Sequence, residues 1–208
     1  MAQHRTPLTL ALMSGCVLAS LPLLLFPSLR EKLGTGASPL TLAILTSPLV
    51  HGFSRASVVP HLAGNLALLW YTGSRVETVL GTLRLALLTL GALVAYVAIQ
   101  VVRDFEVNGA SVFIWAYAPC LALLYRSSRR TDRNAPSIDT DATPIVLAVM
   151  WVAVPLFMTM IPYAFSWSGS LIGAFLVANT FHISATIVGF WFAWAWRERL
   201  TSNVGAGK

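Results

Sequence analysis

The chain has 208 residues, of which 56% are hydrophobic and 11% charged, and its mean hydropathy is +0.72. A water-soluble domain of this size carries far more charge, and prolines and glycines divide the apolar residues into several runs, so the composition excludes a soluble enzyme with one membrane anchor. The net charge is +6, but the basic residues lie in short loops where membrane topology accounts for them, so we expect no nucleic-acid partner. Cys16 and Cys120 lie in apolar runs without metal-ligand or disulfide spacing, and we expect no metal and no cofactor.

Six apolar runs are candidate membrane-spanning helices. In chain order they are residues 8–26, 58–72, 85–102, 111–125, 144–162 and 179–196. We interpret the first as a retained span, because Arg30 and Lys32 follow it and no clear small-residue cleavage site does. The shorter run 39–50 is predicted to lie on the membrane surface or partly within it. The sequence therefore predicts an all-α polytopic membrane protein with one domain over residues 1–208.

The distribution of basic residues predicts the orientation of these spans. With the N-terminus inside, inner segments hold ten of the fourteen basic residues and outer segments hold four. Because inner loops are enriched in lysine and arginine, this split favours N-in, C-in topology. Segment 126–143 is hydrophilic and is predicted to be a flexible cytoplasmic loop.

Polar side chains within apolar runs are the candidate functional residues, because a span rarely carries them without a use. His61 and Asn65 are four residues apart, so on a helix they share a face, and Pro60 is predicted in the first turn. Ser111 opens the fourth span, and His182 lies near the start of the sixth. Since the second, fourth and sixth spans all begin on the outer side, these groups are predicted to meet at one depth.

The fourth span is short for a membrane helix. Residues 111–125 would extend about 22 Å at roughly 1.5 Å per residue, against a hydrocarbon core of about 30 Å. We therefore expect Ser111 to lie below the outer surface and residues 104–110 to enter the membrane as non-helical backbone, for which Gly109 is suited. Trp115, one turn after the serine, is hypothesised to stack on the imidazole of His182.

Small residues follow His182 along one face of the sixth span. Ala185 and Gly189 are three and seven residues after it. Such a stripe allows two membrane helices to approach closely, so the spacing predicts tight packing against the fourth span.

Four short motifs occur in order along the predicted spans. They are His61-Leu-Ala-Gly-Asn65, Gly73-Ser-Arg-Val-Glu77-Thr-Val-Leu-Gly81, Gly109-Ala-Ser111 and His182-Ile-Ser-Ala-Thr-Ile-Val-Gly189. Together they resemble the rhomboid family of intramembrane serine proteases over about residues 51–197. The resemblance implies a six-transmembrane-helix bundle in a multi-pass protein, expected in the plasma membrane.

The resemblance also implies roles for individual residues. Ser111 would be the nucleophile and His182 the general base of a dyad without an acidic member. The oxyanion hole would use the backbone N–H of Ser111 with the side chains of His61 and Asn65. Substrates would be transmembrane helices of other proteins in the lipid bilayer, cut near their outer ends, with segment 165–177 as a mobile cap and the preceding helix as a lateral gate.

Two departures from the family pattern keep other interpretations open. Val112 and Ala185 stand where the family usually has glycine, which motivates an alternative as an inactive rhomboid-like protein that binds transmembrane clients. A small transporter lined by the same side chains is a second alternative. Arg75 and Glu77 are predicted to form a structural pair at the cytoplasmic surface, and the oligomeric state stays open.

Overall fold

A computed structural model describes residues 6–26, 28–29, 43–51, 55–103, 109–131, 138–156 and 171–202. Within these ranges every regular element is helical, which confirms the predicted all-α class. The helices in chain order are α1 (Pro7–Ser20), α2 (Pro22–Leu25), α3 (Ala43–Thr46), a 3-10 turn (Ser47–Leu49), α4 (Arg55–Leu80), α5 (Thr82–Arg103), α6 (Ser111–Thr131), α7 (Ile138–Ala148), a π turn (Val149–Ala153), α8 (Leu171–Ala195) and α9 (Arg197–Ser202).

Helix α6 occupies the centre of the bundle. It packs against α4, α5 and α8, and residues 112–121 along its length are all buried. Large apolar side chains on the surrounding helices remain exposed, among them Val94 on α5 and Phe190 on α8. Extended exposed apolar surface of this kind is typical of contact with a membrane.

The lengths of the apolar helices agree with insertion into a membrane for part of the bundle. The helical stretches Pro7–Leu25 and Thr82–Val102 are long and apolar enough to cross a membrane, and Ser111–Arg126 and Ala142–Leu156 are shorter apolar helices. The predicted spans 8–26 and 85–102 therefore coincide with helices of adequate length.

Helices α6 and α8 approach each other closely at Gly189. A Cβ atom there would overlap the carbonyl oxygen of Ala116 and would lie 3.0 Å from Cδ of Pro119. Ala185, one turn earlier on α8, is completely buried. The stripe of small residues predicted from the sequence is thus the surface that brings these two helices together.

The buried carboxylate of Glu77, near the C-terminal end of α4, forms hydrogen bonds with residues of both α1 and α5. Its Oε1 accepts hydrogen bonds from the backbone N–H of Leu8 (3.0 Å) and the hydroxyl of Thr82 (2.9 Å). Its Oε2 accepts from the backbone N–H (2.9 Å) and hydroxyl (2.7 Å) of Thr9. The start of α1 and the junction of α4 with α5 are therefore fastened to one buried side chain.

The predicted pairing of Arg75 with Glu77 is wrong. The Arg75 guanidinium lies 3.7 Å above the ring of Tyr71 and donates to the Tyr71 carbonyl oxygen at 3.1 Å. Residues two apart on a helix do not face each other, which is why the two side chains diverge.

We expect Glu77→Gln to lower the free energy of unfolding by about 2 kcal/mol, because the new amide nitrogen would face a backbone N–H, which can only donate, whichever oxygen it replaces. Thermal unfolding in detergent measures the change. The control is Thr78→Ala, which removes an exposed hydroxyl next to Glu77 on α4 and should shift stability by no more than about 0.5 kcal/mol. Equal stability of the two variants would contradict the fastening role of Glu77.

Several helix ends differ from the predicted ones. Helix α4 begins at Arg55, so Pro60 lies inside the helix and not in its first turn. Helix α6 continues to Thr131 and α7 begins at Ile138, so most of the predicted loop 126–143 is helical and residues 132–137 lie outside the described residues. Polar sequences can remain helical in the interfacial layer of a membrane, where basic residues at a helix C-terminus are also favourable, so hydropathy underestimates helix length there.

The last two predicted spans differ as well. The fifth comprises α7 and the π turn and is helical through residues 154–156, while residues 157–162 of the predicted span lie outside the described residues. Helix α8 begins at Leu171 and not at residue 179, so residues 171–177 of the predicted cap belong to this helix and residues 165–170 lie outside the described residues. This apolar stretch contains no proline that would end a helix.

Candidate active site

The backbone before Ser111 fits closely between helices. Gly109 has a φ of +112°, a conformation that side chains other than glycine rarely adopt. A Cβ atom at this position would lie 3.0 Å from Nδ2 of Asn65 and 3.0 Å from Nε2 of His61. Glycine therefore allows the loop to touch both polar side chains of α4 just before the chain enters α6. Residues 104–108 of the predicted re-entrant segment lie outside the described residues.

Ser111 and His182 lie within reach of each other. Nε2 of His182 is 3.3 Å from Oγ of Ser111. The imidazole is 8% exposed, whereas the serine is partly exposed at the start of its helix. The ring of Trp115 stacks on His182 with centroids 4.7 Å apart and planes 16° apart, as hypothesised from the sequence. Stacking of this kind fixes the plane in which the imidazole can turn.

The second nitrogen of this imidazole faces no carboxylate of the described residues. Nδ1 of His182 is buried and has no hydrogen-bond partner among the described residues. When Nε2 accepts a hydrogen bond from the serine hydroxyl, the single proton of the neutral ring is on Nδ1. Among the described residues, the contact of Nε2 with Oγ of Ser111 is therefore the hydrogen bond found for this ring, and the same ranges contain no cluster of histidine, cysteine, aspartate or glutamate that could hold a metal ion.

Two further polar side chains, both on α4, lie against Gly109, two residues before Ser111. Asn65 is 8% exposed, and its Nδ2 group is buried without a hydrogen-bond acceptor in the described part of the chain. His61 is partly exposed and lies one turn earlier on the same face. Because Ser111 is the first residue of α6, its backbone N–H has no intrahelical acceptor. The structure thus brings together all four residues singled out from the sequence.

Sequence reasoning missed His51. This side chain is completely buried, its ring centroid is 5.1 Å from that of His61, and its Nε2 accepts the backbone N–H of Ala110 at 3.1 Å. No helical spacing connects residues 51 and 61, since residues 52–54, which lie outside the described residues, and the start of α4 separate them. The available signal was a histidine at the end of the apolar run 39–50, in a chain that has only four histidines.

Comparison with known proteins connects this geometry to a family. A family model described as Rhomboid domain matches residues 39–199. The match covers most of the chain, including the four candidate residues and His51. No curated protein matches the chain.

Proposed function

Because the chain belongs to the rhomboid family and is therefore an integral membrane protein, we propose that it is an intramembrane serine endopeptidase that cleaves transmembrane helices of other proteins near their outer ends. The observation that carries the proposal is the 3.3 Å separation between Oγ of Ser111 and Nε2 of His182. This distance is close to hydrogen-bonding range, and catalytic hydrogen bonds are often long in an empty site.

The reaction would proceed through an acyl-enzyme. As Oγ of Ser111 forms a bond to the scissile carbonyl carbon, its proton passes to Nε2 of His182. The imidazolium then returns that proton to the leaving nitrogen as the carbon–nitrogen bond breaks. A water molecule next attacks the ester with His182 again as base, and the second product leaves as a carboxylic acid while the serine hydroxyl is restored.

The proposed oxyanion hole uses the backbone N–H of Ser111 and the side chains of Asn65 and His61. Support comes from the Nδ2 group of Asn65, a buried donor that lacks an acceptor among the described residues and adjoins the serine loop. A buried donor without a partner costs free energy in the resting protein. An oxyanion at this position would satisfy it, and donors of this type are each worth about a hundredfold or more in rate.

The side chain of Val112 supports an active enzyme over the inactive alternative. It is 2% exposed and belongs to the hydrophobic core, whereas Ser111 beside it is partly exposed. Ala185 is completely buried and belongs to the same core. The extra bulk at both positions is therefore accommodated by packing and leaves the serine hydroxyl and the imidazole within reach of each other.

The family and the distribution of basic residues along the chain support a proposal for the topology of the enzyme and the location of its site. We propose six spans with both termini in the cytoplasm and the site in the outer half of the plasma membrane. Helix α7, together with the π turn Val149–Ala153 that follows it, would serve as the lateral gate through which a substrate helix enters. A π turn interrupts the regular hydrogen-bond pattern of a helix and often marks a functional position.

Cleavage of a reporter tests this function. We expect wild-type protein in liposomes to cut a single transmembrane helix that has small or helix-breaking residues near its outer end, and Ser111→Ala to leave it intact. The matched control is Ser74→Ala, which removes a hydroxyl near the far end of α4 that donates to the carbonyl of Trp70. An intact reporter with wild-type protein, in vesicles where another rhomboid protease cuts it, would contradict the proposal, and binding without cleavage would favour the client-binding alternative.

A further inference from the structure

His51 lies between the 3-10 turn Ser47–Leu49 and α4, in the segment between the first and second predicted spans, and both of its ring nitrogens have partners. Nε2 is 3.1 Å from the backbone nitrogen of Ala110, and Nδ1 is 3.0 Å from the carbonyl oxygen of Leu49. Since a backbone N–H can only donate, Nε2 is unprotonated and Nδ1 carries the proton that it donates to Leu49. The hydroxyl of Ser20, near the end of α1, donates to the same carbonyl at 3.1 Å. The surroundings thus select one tautomer of this imidazole.

The imidazole of His51 must be neutral to accept the hydrogen bond from Ala110. Burial, and to a lesser extent the neighbouring His61, lowers the pKa of His51 to about 4, although the Leu49 carbonyl raises it. The ring is therefore neutral near pH 7 and can accept a hydrogen bond. Protonation would place a second N–H opposite that of Ala110 and break the contact.

The contact reaches the nucleophile through the backbone. Ala110 directly precedes Ser111, and the N–H of Gly109 donates to the carbonyl of Ser47 at 3.1 Å. The carbonyl of Ala110 accepts the N–H of Phe113 at 3.0 Å in the first turn of α6. The N–H groups of residues 109 and 110 are therefore held by residues 47 and 51, and the carbonyl group of Ala110 is held by the first turn of α6.

From these contacts we propose that His51 is a positioning residue for the nucleophile. By holding the Ala110 peptide it sets the direction of the Ser111 side chain toward His182 and of the Ser111 N–H toward the oxyanion. The inference rests on the proposed protease function and adds a residue that does not touch the reacting atoms. It also connects the far end of α1, through Ser20, to the catalytic serine.

Three variants separate positioning from filling of space. In His51→Gln the side-chain oxygen can reach the place of Nε2 and accept the Ala110 N–H. His51→Asn is too short to do so, and His51→Phe fills the space without an acceptor. We expect kcat for the reporter to fall about 10- to 100-fold in His51→Phe and His51→Asn, with KM nearly unchanged, and to stay within about threefold of wild type in His51→Gln.

Two measurements do not depend on activity. Hydrogen exchange at the Ala110 amide should be faster in His51→Phe than in wild type or His51→Gln. In wild-type protein with ¹⁵N-labelled histidine, the resonance that disappears in His51→Gln should show a protonated Nδ1 and an unprotonated Nε2. This second measurement needs no folded Phe or Asn variant.

The outcomes distinguish the two proposals. If wild-type protein cleaves the reporter, equal kcat in His51→Phe and His51→Gln overturns positioning and leaves the protease function intact. A protonated Nε2, or equal exchange of the Ala110 amide in all variants, overturns positioning whether or not the protein cleaves. Absence of cleavage by wild type together with a protected Ala110 amide would overturn the protease function, and with it the catalytic purpose of the contact.

Discussion

Ser111→Ala and His182→Ala are each expected to lower the rate of reporter cleavage by at least about three orders of magnitude, and the double variant is expected to be no slower than the single variants. The reason is that the two groups act as one unit: a serine hydroxyl without a base attacks poorly, and an imidazole without a nucleophile has no proton to take. Single-turnover cleavage in liposomes, with enzyme in excess, measures the chemical step.

The stability of these variants separates chemistry from folding. The Ser111 hydroxyl is partly exposed, so its removal should leave the thermal midpoint close to that of wild type. His182 packs against Trp115, and its truncation should lower the midpoint modestly. If the losses of the two single variants multiply in the double variant, Ser111 and His182 do not act together and the dyad is contradicted.

Gly189→Ala is expected to impair both folding and cleavage. The added Cβ would overlap the backbone carbonyl of Ala116, which no side-chain movement can relieve, so α8 must move away from α6. Overpacking of this kind costs about 1 to 3 kcal/mol, and a displacement of about 1 Å between the helices that carry Ser111 and His182 can lower the rate about a hundredfold. Thermal unfolding and kcat should therefore change together.

The matched control for this variant is Gly64→Ala. Gly64 also lies inside a helix, but a Cβ atom there has no neighbour within 4 Å. We expect this change to leave cleavage unaffected and to stabilise the protein by up to about 1 kcal/mol through helix propensity. Wild-type stability and activity in Gly189→Ala would show that α6 and α8 are farther apart than described.

The residues of the candidate site could be found from the sequence because the membrane makes them conspicuous. A polar side chain in an apolar run is costly, so His61, Asn65, Ser111 and His182 stand out individually. The four-residue spacing of the first two places them on one face, and the predicted outer start of three spans leads us to expect all four at one depth. Spacing and depth predict that the four side chains could meet, whereas their actual convergence depends on the packing of α6 against α4 and α8.

Other features of the fold depend on contacts that sequence spacing does not encode. His51 contacts a backbone N–H, a group that every residue except proline carries, so no motif marks its partner. Glu77 contacts Leu8 and Thr9 near the other end of the chain, and its near neighbour Arg75 was the more obvious candidate. Local patterns identify faces of helices, whereas these contacts depend on how distant segments pack.

Helix ends were the least predictable part of the fold. Hydropathy locates the segment of a helix that lies in hydrocarbon, and it therefore missed the polar turns of α6 beyond residue 125 and the part of α4 before residue 58. Neither error affects the site, because Ser111 lies at the opposite end of α6 and because His61 and Asn65 remain one turn apart on α4.

Labelling with a serine-directed fluorophosphonate tests the central claim most directly, since it requires an activated hydroxyl and no knowledge of the natural substrate. Mass spectrometry of wild-type protein should find one adduct, on Ser111, and the reaction should be lost in Ser111→Ala and strongly slowed in His182→Ala. An unlabelled Ser111 in folded wild-type protein, under conditions that label another rhomboid protease, would contradict the account.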